Sequence, residues 1–319
     1  MYFPYLRGRQ YELLALRDLV ANNLISNRIL PIVEPVKLSS TLVNTMAEFI
    51  KNNHAISVIR NPAVGSFLSD YTDIVQNSKE AGYRGKFEEL YLDRNIVKSV
   101  LFQLSAPERI EYWLDYNIAA KEDMLVIVTD RDWLDKYDRY FSDTPPKYVL
   151  IPDERIFRRK IQHNRVLLDD KFIKKERNAD YQDITDEFFS DDHLYYSDER
   201  FVGFADYSII GDDYSDSGFA PYAVAIHIVY LASDKTLRVK HFVSDSNEDT
   251  SNPALKFYEA VAKLAHWYET EHPEIDVTFG LKSFLTHYKN QTYPGLGTVK
   301  KLALMHHLEL MSKYLDGEK

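Results

Sequence analysis

Charged residues stand directly behind one short apolar run after another in this sequence. Arg7 follows YFPYL, Glu34 follows ILPIV, Arg60 follows AISVI, Asp93 follows ELYL, Asp130 follows LVIVT, Asp153 follows VLIP, Asp169 follows RVLL and Asp206 follows VGFA. If the apolar runs are parallel strands, their carboxyl ends share one face, and in α/β barrels that face carries the chemistry. Glu34, Asp93, Asp130, Asp153 and Asp206 are then candidate catalytic groups at a common mouth, as metal ligands or general acids and bases. Carboxylates brought together in a partly dry site repel one another unless a cation or an arginine lies among them. Oxygen donors suit Mg²⁺ or Mn²⁺, which would position a phosphate and activate water. Arg7, Arg9 and Arg60 would clamp an anionic substrate by paired hydrogen bonds, and Tyr207 would line the same mouth. At each position the competing reading is structural. Polar residues follow strands wherever the chain leaves a core, and Asp93 before Asn95 or Asp130 before Asp132 has the placement of a cap.

Other clusters carry weaker signals. FADYSIIGDDYSDSG gathers Asp206, Asp212, Asp213 and Asp216 between turn glycines at 211 and 218, without the order of acids an EF-hand requires. Arg155 to Arg177 is basic in an otherwise acidic chain, and Arg158, Arg159, Lys160, Arg165, Lys174, Lys175 and Arg177 would meet phosphates of a nucleotide or nucleic acid. The acidic stretch from Asp180 to Glu199 offers self-neutralisation as the rival. YPGLGTVKK places glycines before a helix start with Lys300 and Lys301 in its first turns, an arrangement open to an anion but lacking the P-loop pattern. Of the histidines, His241, His266, His272, His287, His306 and His307 fall late in the chain without HExxH spacing, and packing roles are expected of them. No GxSxG elbow occurs.

The elements that must position these residues alternate. Strand patterns are read at Tyr2–Leu6, Ile29–Val33, Ala55–Ile59, Glu89–Leu92, Met124–Val128, Tyr148–Ile151, Arg165–Leu168 and Phe201–Ala205. Helical patterns are read at Glu12–Ile25, from a Ser40 cap through Ile50, at Leu68–Ala81, between Ile96 and Ala120, and at Asp132–Tyr140. Continuous apolar strands separated by helices predict parallel βαβ units covered on both sides. The expected fold is an α/β, (β/α) barrel-like variant of the TIM barrel, with an open doubly wound sheet as the alternative. No glycine-rich first turn supports dinucleotide binding. After residue 150 a short helix is expected from Asp183, a hairpin at Tyr222–Leu231 and Leu237–Val243, and helices at Pro253–Glu269 and from a Thr298 cap to about Leu315. There are more strands than a barrel needs, so one domain, 1–319, is expected with a charged, hairpin-bearing elaboration at about 155–245.

Composition narrows the classes. Hydrophobic residues at 45% exclude general disorder. The absence of cysteine removes disulfides, thiolate metal sites and a cysteine nucleophile, and fits a reducing cytoplasm. No signal-peptide pattern opens the sequence and no apolar window is long enough to span a membrane. A net charge of −10 argues against a general nucleic-acid coat while leaving a local basic groove open.

YFPYLRGRQYELLALRDL, ILPIVEPVK and FADYSIIGDDYSDSGFAPYAVAIH together resemble the bacterial and phage-associated "beta family protein" group, over most of the chain. The resemblance implies a bacterial or phage origin and a role in phage–host conflict. That group has no assigned catalytic residues, so no site is carried over from it. The residues themselves lead to an expectation of a metal-assisted hydrolase or phosphoester-processing enzyme acting on an anionic, nucleotide-bearing small molecule. Its alternatives are a non-catalytic sensor or subunit that binds a protein partner, and a nucleic-acid-binding module built on the basic stretch.

Overall fold

Strands without polar alternation need cover on both faces, and here they obtain it by closing on themselves. The computed structural model describes residues 1–72, 79–215, 221–271 and 277–317. In it β1 (Tyr2–Leu6), β2 (Ile32–Val33), β3 (Ile56–Ile59), β4 (Ile96–Leu101), β5 (Leu125–Ile127), β6 (Tyr148–Ile151) and β7 (Arg165–Leu168) pair in parallel, each with the next. The following β8 (Asp186–Ser190) belongs to a separate sheet, and β9 (Gly203–Asp206) pairs with both β7 and β1 to close an eight-stranded parallel barrel. The barrel-like α/β expectation is met, and the open sheet is not formed.

The chain divides into two compact units. The first comprises Met1–Asn23, Asn27–Asp170 and Asp192–Tyr207. The second comprises Leu24–Ser26, Lys171–Asp191 and Ser208–Lys319. Within the span 155–245 expected as an elaboration, β7 and β9 are barrel strands, while the second unit runs on to the carboxyl terminus.

In the barrel unit, α1 (Gln10–Ala21), α2 (Ser40–Lys51), α3 (Phe67–Thr72), α4 (Lys79–Tyr91), α5 (Ala106–Asp115), α6 (Leu134–Tyr140), α7 (Arg155–Lys160) and α8 (Asp192–Tyr195) follow or precede the strands. Ser39, not Ser40, caps α2, accepting from the Leu42 N–H at 3.3 Å. The helix buries Leu42, Val43, Met46 and Phe49 at helical spacing. Each such side chain stabilises by roughly 1.5–3 kcal/mol when fully buried. The stretch around residue 90 is where the sequence reading fails. Glu89–Leu92 ends α4 and its following turn, and Ile96–Leu101, read as helical, is β4. IVKSVL carries β-branched residues and a lysine that looks like a helix surface, yet Lys98 is buried with its Nζ donating to the carbonyls of Asp93 and Ile96. The Leu68–Ala81 helix expectation falls partly outside the described residues.

Strand alternation decides what the barrel holds. Phe3, Tyr5, Ile32, Ile59, Leu168 and Ala205 belong to one buried cluster, which fixes the inward rows. Continued by two residues, those rows reach Arg7, Glu34 and Tyr207. Asp206 and Arg60 lie one position away from their inward neighbours, Ala205 and Ile59, and so belong to outward rows. At Gly203 the close packing of β9 on β1 leaves no room for a side chain: a Cβ would lie 2.5 Å from Phe3 Cε2 and 2.6 Å from the Met1 carbonyl oxygen.

The second unit is an antiparallel sheet, ordered β10 (Ala225–Leu231), β11 (Leu237–Val243), β8, with α9 (Pro253–Thr270), α10 (Phe279–Asn290) and α11 (Leu296–Asp316). The hairpin expected at 222–243 is therefore no part of the barrel. Asp183 begins no helix, because the segment after it pairs with β11 as β8. Thr298 lies inside α11, whose N-cap is Gly295 at φ 88°. The helix α10 was not foreseen.

Candidate functional site

Of the residues expected at one mouth, three converge. Glu34 is fully buried and accepts hydrogen bonds from the Tyr5 hydroxyl at 2.8 Å, from the Ala63 N–H at 2.7 Å and from the Arg7 guanidinium. The Arg7 Cζ lies 5.3 Å from the Tyr5 ring centroid and 5.2 Å from that of Tyr207, and the two rings are 4.9 Å apart. Burial works against the Arg7 charge, but Tyr5, Glu34 and Tyr207 outweigh it and hold the guanidinium pKa above its ordinary value. Burial, then the Glu34 carboxylate, pushes the Tyr5 hydroxyl well above its usual range. In this network the Glu34 carboxylate meets an arginine where a metal ion would have to sit.

The other candidates are dispersed. Asp93 precedes β4, so it lies at the amino ends of the strands, on the opposite rim, where its carboxylate accepts from the Asn95 N–H at 2.8 Å. Asp130 is exposed and caps a short turn, accepting from the Asp132 N–H at 3.0 Å. Asp153 is exposed and ion-paired to Arg158. Asp206 is buried on the outward row of β9, where the Tyr2 hydroxyl donates to it at 2.8 Å. Burial, then Asp206, pushes the Tyr2 hydroxyl well above its usual range. Arg9 is the N-cap residue of α1, its N–H donating to Glu12 at 3.3 Å. Lys300 lies on α11 in the second unit, away from the barrel strands in sequence. Among the described residues no group of three His, Cys, Asp or Glu is placed to hold a metal ion.

Arg60 has a different setting from the one expected. Its Cζ stands 3.8 Å from the Tyr71 ring centroid and 5.9 Å from those of Phe67 and Phe87, so one face of the guanidinium is stacked on α3 and α4 aromatics. Burial lowers its pKa, Tyr71 opposes this and Arg109 adds to it. Arg60 and Arg109 line a cavity of about 180 Å³ together with Asn61, Ser105, Glu108 and Tyr112. Asn61 is held rigidly: its Oδ1 accepts from the Leu101 N–H at 2.9 Å while its Nδ2 donates to the Leu101 carbonyl at 2.8 Å and to Ser105 Oγ at 3.2 Å. Asn61 thereby extends the pairing of β3 with β4 beyond the strand end. Among the described residues neither Arg60 nor Arg109 is ion-paired to a carboxylate. Arg109, Asn61 and Ser105 had no signal in the sequence, because the bend after β3 and the first turn of α5 meet only through the barrel.

The basic stretch is largely engaged. Arg158 pairs with Asp153 and Glu199, Lys160 with Asp135, Lys174 with Asp213, and Arg177 with Asp180. Arg165 donates to the carbonyls of Arg158, Glu199 and Arg200. Of these partners Glu199 and Asp180 belong to the acidic stretch, while Asp135, Asp153 and Asp213 lie outside it. Asp216, Gly218 and His272 lie outside the described residues.

In the second unit, His306 and His307 have packing roles. His306 bonds Thr278 Oγ1 and the Val229 carbonyl, both at 2.7 Å, and His307 bonds Ser208 Oγ at 2.7 Å. His241 does more than pack. Its Nδ1 meets the Nδ1 of His227 at 2.7 Å and its Nε2 meets Glu187 at 3.0 Å.

No family model, no curated protein and no solved structure matches the chain. No helix among the described residues is long and apolar enough to cross a membrane.

Proposed function

We propose that the barrel unit recognises a small anionic ligand of the phosphoester class in the cavity lined by Arg60 and Arg109. The observation that carries this reading is two guanidinium groups on one cavity with no carboxylate ion-paired to either among the described residues. Like charges brought together repel, and an anion between them relieves both. Arg60 is preorganised by its aromatic stack, and Asn61 and Ser105 supply neutral hydrogen-bonding groups beside it. The carboxylate of Glu108, also on the cavity wall, accepts from a hydroxyl and so suits a phosphate carried on a polyol rather than on a hydrocarbon. At about 180 Å³ the cavity is smaller than pockets for whole drug-sized ligands, which run from about 300 Å³. It fits a phosphate group and the first atoms of its alcohol. The location, beside the carboxyl ends of β3 and β4, is the end of a parallel barrel that binds substrates.

This retains the anionic-substrate half of the sequence expectation and gives Arg60 a role. Glu34, Asp93, Asp130, Asp153 and Asp206 are dispersed and do not meet at one position. Calorimetric titration with a pentose phosphate and with inorganic phosphate tests the reading. Saturable binding is expected, weakened at least 10-fold in Arg109→Glu, whose half-exposed site tolerates the change. Equal binding by the wild-type chain and Arg109→Glu would overturn it.

A further inference from the structure

Helix α5 carries a buried row and, beside it, a graded one. Ala106, Ile110 and Trp113 are buried. Ser105, Arg109, Tyr112 and Tyr116, spaced for one helical face, run beside them from the N-cap to the C-cap. Ser105, Arg109 and Tyr112 line the cavity that holds Arg60. The row thus opens with a hydroxyl and a guanidinium and ends in two phenol rings.

The cavity is graded by depth in the same sense. Arg60 and Asn61 are buried and form its floor, whereas Leu68 and Tyr112, the latter 45% exposed, form its rim. Beyond the rim Tyr116 is 68% exposed, with its ring centroid 4.7 Å from that of Tyr112. Arg109 stands where the charged and aromatic parts join, its Cζ 5.6 Å from the Tyr112 ring centroid. A cavity of about 180 Å³ takes a phosphate and the first atoms of its alcohol, so the rest of a ligand leaves past the rim over Tyr112.

On the phosphoester reading of this cavity, and dependent on it, we infer that the ligand is a nucleoside monophosphate. Its phosphate lies between Arg60 and Arg109, its sugar hydroxyls face Glu108, and its base stacks on the Tyr112 ring. Every base has a π-face, so an exposed aromatic ring holds it without dedicated hydrogen bonds. The neighbouring Arg109 and Tyr116 steady that ring by cation–π and aromatic contact. A hydrocarbon tail suits the wall poorly, because it would strip water from the Glu108 carboxylate without donating to it, whereas a sugar hydroxyl donates. The spacing agrees: Tyr112 stands three residues beyond Arg109, about 4.5 Å along the helix axis, and one turn beyond Glu108. Phosphate, sugar and base therefore meet their partners in order along the helix.

Calorimetric titration of the full chain with AMP, ribose 5-phosphate and phenyl phosphate is the test. Wild type is expected to bind AMP at least 10-fold more tightly than ribose 5-phosphate. Tyr112→Ala, a change on an exposed helix position, is expected to erase that advantage and leave ribose 5-phosphate binding unchanged. Tyr112→Phe keeps the ring and is expected to keep the advantage, while Arg109→Glu weakens both ligands alike. In wild type the adenine H2 and H8 resonances of AMP are expected to move upfield on binding, which reports stacking without any variant. Unshifted base protons, or an advantage that survives Tyr112→Ala, would overturn the base assignment. Phenyl phosphate binding as tightly as AMP would also overturn it, in favour of an aryl phosphate without a sugar. Equal binding of AMP and ribose 5-phosphate by wild type removes the base assignment and leaves the phosphoester reading standing; failure of both to bind removes the two together.

Discussion

Replacing Glu34 by alanine is the sharpest probe of the barrel mouth. The wild-type carboxylate is fully buried and meets three donors, the Tyr5 hydroxyl, the Ala63 N–H and the Arg7 guanidinium. Arg7, with a side chain 13% exposed, would keep its charge and lose its counterion. Breaking a buried ion pair from one side costs about 3–5 kcal/mol. The orphaned Tyr5 hydroxyl adds to this by an amount that overlaps, since the groups share one network. A loss of about 4 kcal/mol is expected overall, or roughly 10 °C in Tm at the few degrees per kcal/mol typical of units this size. Arg7→Met combined with Glu34→Leu removes both charges and is expected to lie within about 2 kcal/mol of wild type. Thermal and urea unfolding of Glu34→Ala and of the cycle formed by wild type, Arg7→Met, Glu34→Leu and the double variant supply the measurement. A loss under about 1 kcal/mol in Glu34→Ala, or strict additivity of the paired changes, would show that the network does not hold the mouth. Unchanged stability with lost phosphoester binding would move Glu34 from structure to function.

Two further outcomes follow from the packing and the titrating groups. His227 and His241 both have pKa values lowered by burial, so the unfolded chain binds more protons than the folded one just below the ordinary histidine value, near 6.5. Stability is therefore full above that value and is lost as pH falls through it toward the lower folded pKa values. Melting curves from pH 8 to 5 should show this fall, and His227→Asn should flatten it; an equal slope in the variant would exclude the pair as its source. In the barrel, Gly203→Ala sets a methyl group 2.5 Å from the Phe3 ring and 2.6 Å from the Met1 carbonyl, and overpacking of this kind costs about 1–3 kcal/mol. Adding Phe3→Leu should recover part of the lost Tm, since the ring contact is relieved while the backbone contact stays. Full recovery would show that the backbone contact carries no strain.

The barrel was legible because its strands are short, apolar and regularly spaced: YFPYL, ISVI, YVLI and RVLL occupy the strands that their patterns predict. Reading failed where local pattern and tertiary demand disagree. Lys98 in IVKSVL reads as a solvated helix face, and the two carbonyls it reaches, with the Tyr91 ring centroid 5.6 Å away, make a buried strand lysine tolerable. That single misplacement sent Asp93 to the wrong rim. The His227–His241 pair, by contrast, was within reach. The hairpin was expected with a loop at Ala232–Thr236, and antiparallel counting back from Leu231 and Leu237 sets 227 against 241. What could not be counted was the third strand, since Asp183 onward reads as a helix and so hides Glu187.

By itself the sequence determined the parallel strands, hence a shared carboxyl end, because hydrophobic periodicity is a local property of consecutive residues. It also determined that a charged residue follows each of these runs, as Arg7 follows YFPYL and Glu34 follows ILPIV. Tertiary structure alone decided which charges meet. A side chain's direction follows from strand parity, which a one-residue shift in boundary reverses. That shift separates Asp206 from Tyr207 and Arg60 from Asn61. Partners such as Arg109 for Arg60, or Glu187 for His241, come from elements distant in the chain that only closure of the barrel and pairing of the small sheet bring together. The charged strand ends, Asp93 excepted, lie at the carboxyl ends of the strands, and the fold chose which of them line a cavity, which face each other and which face water.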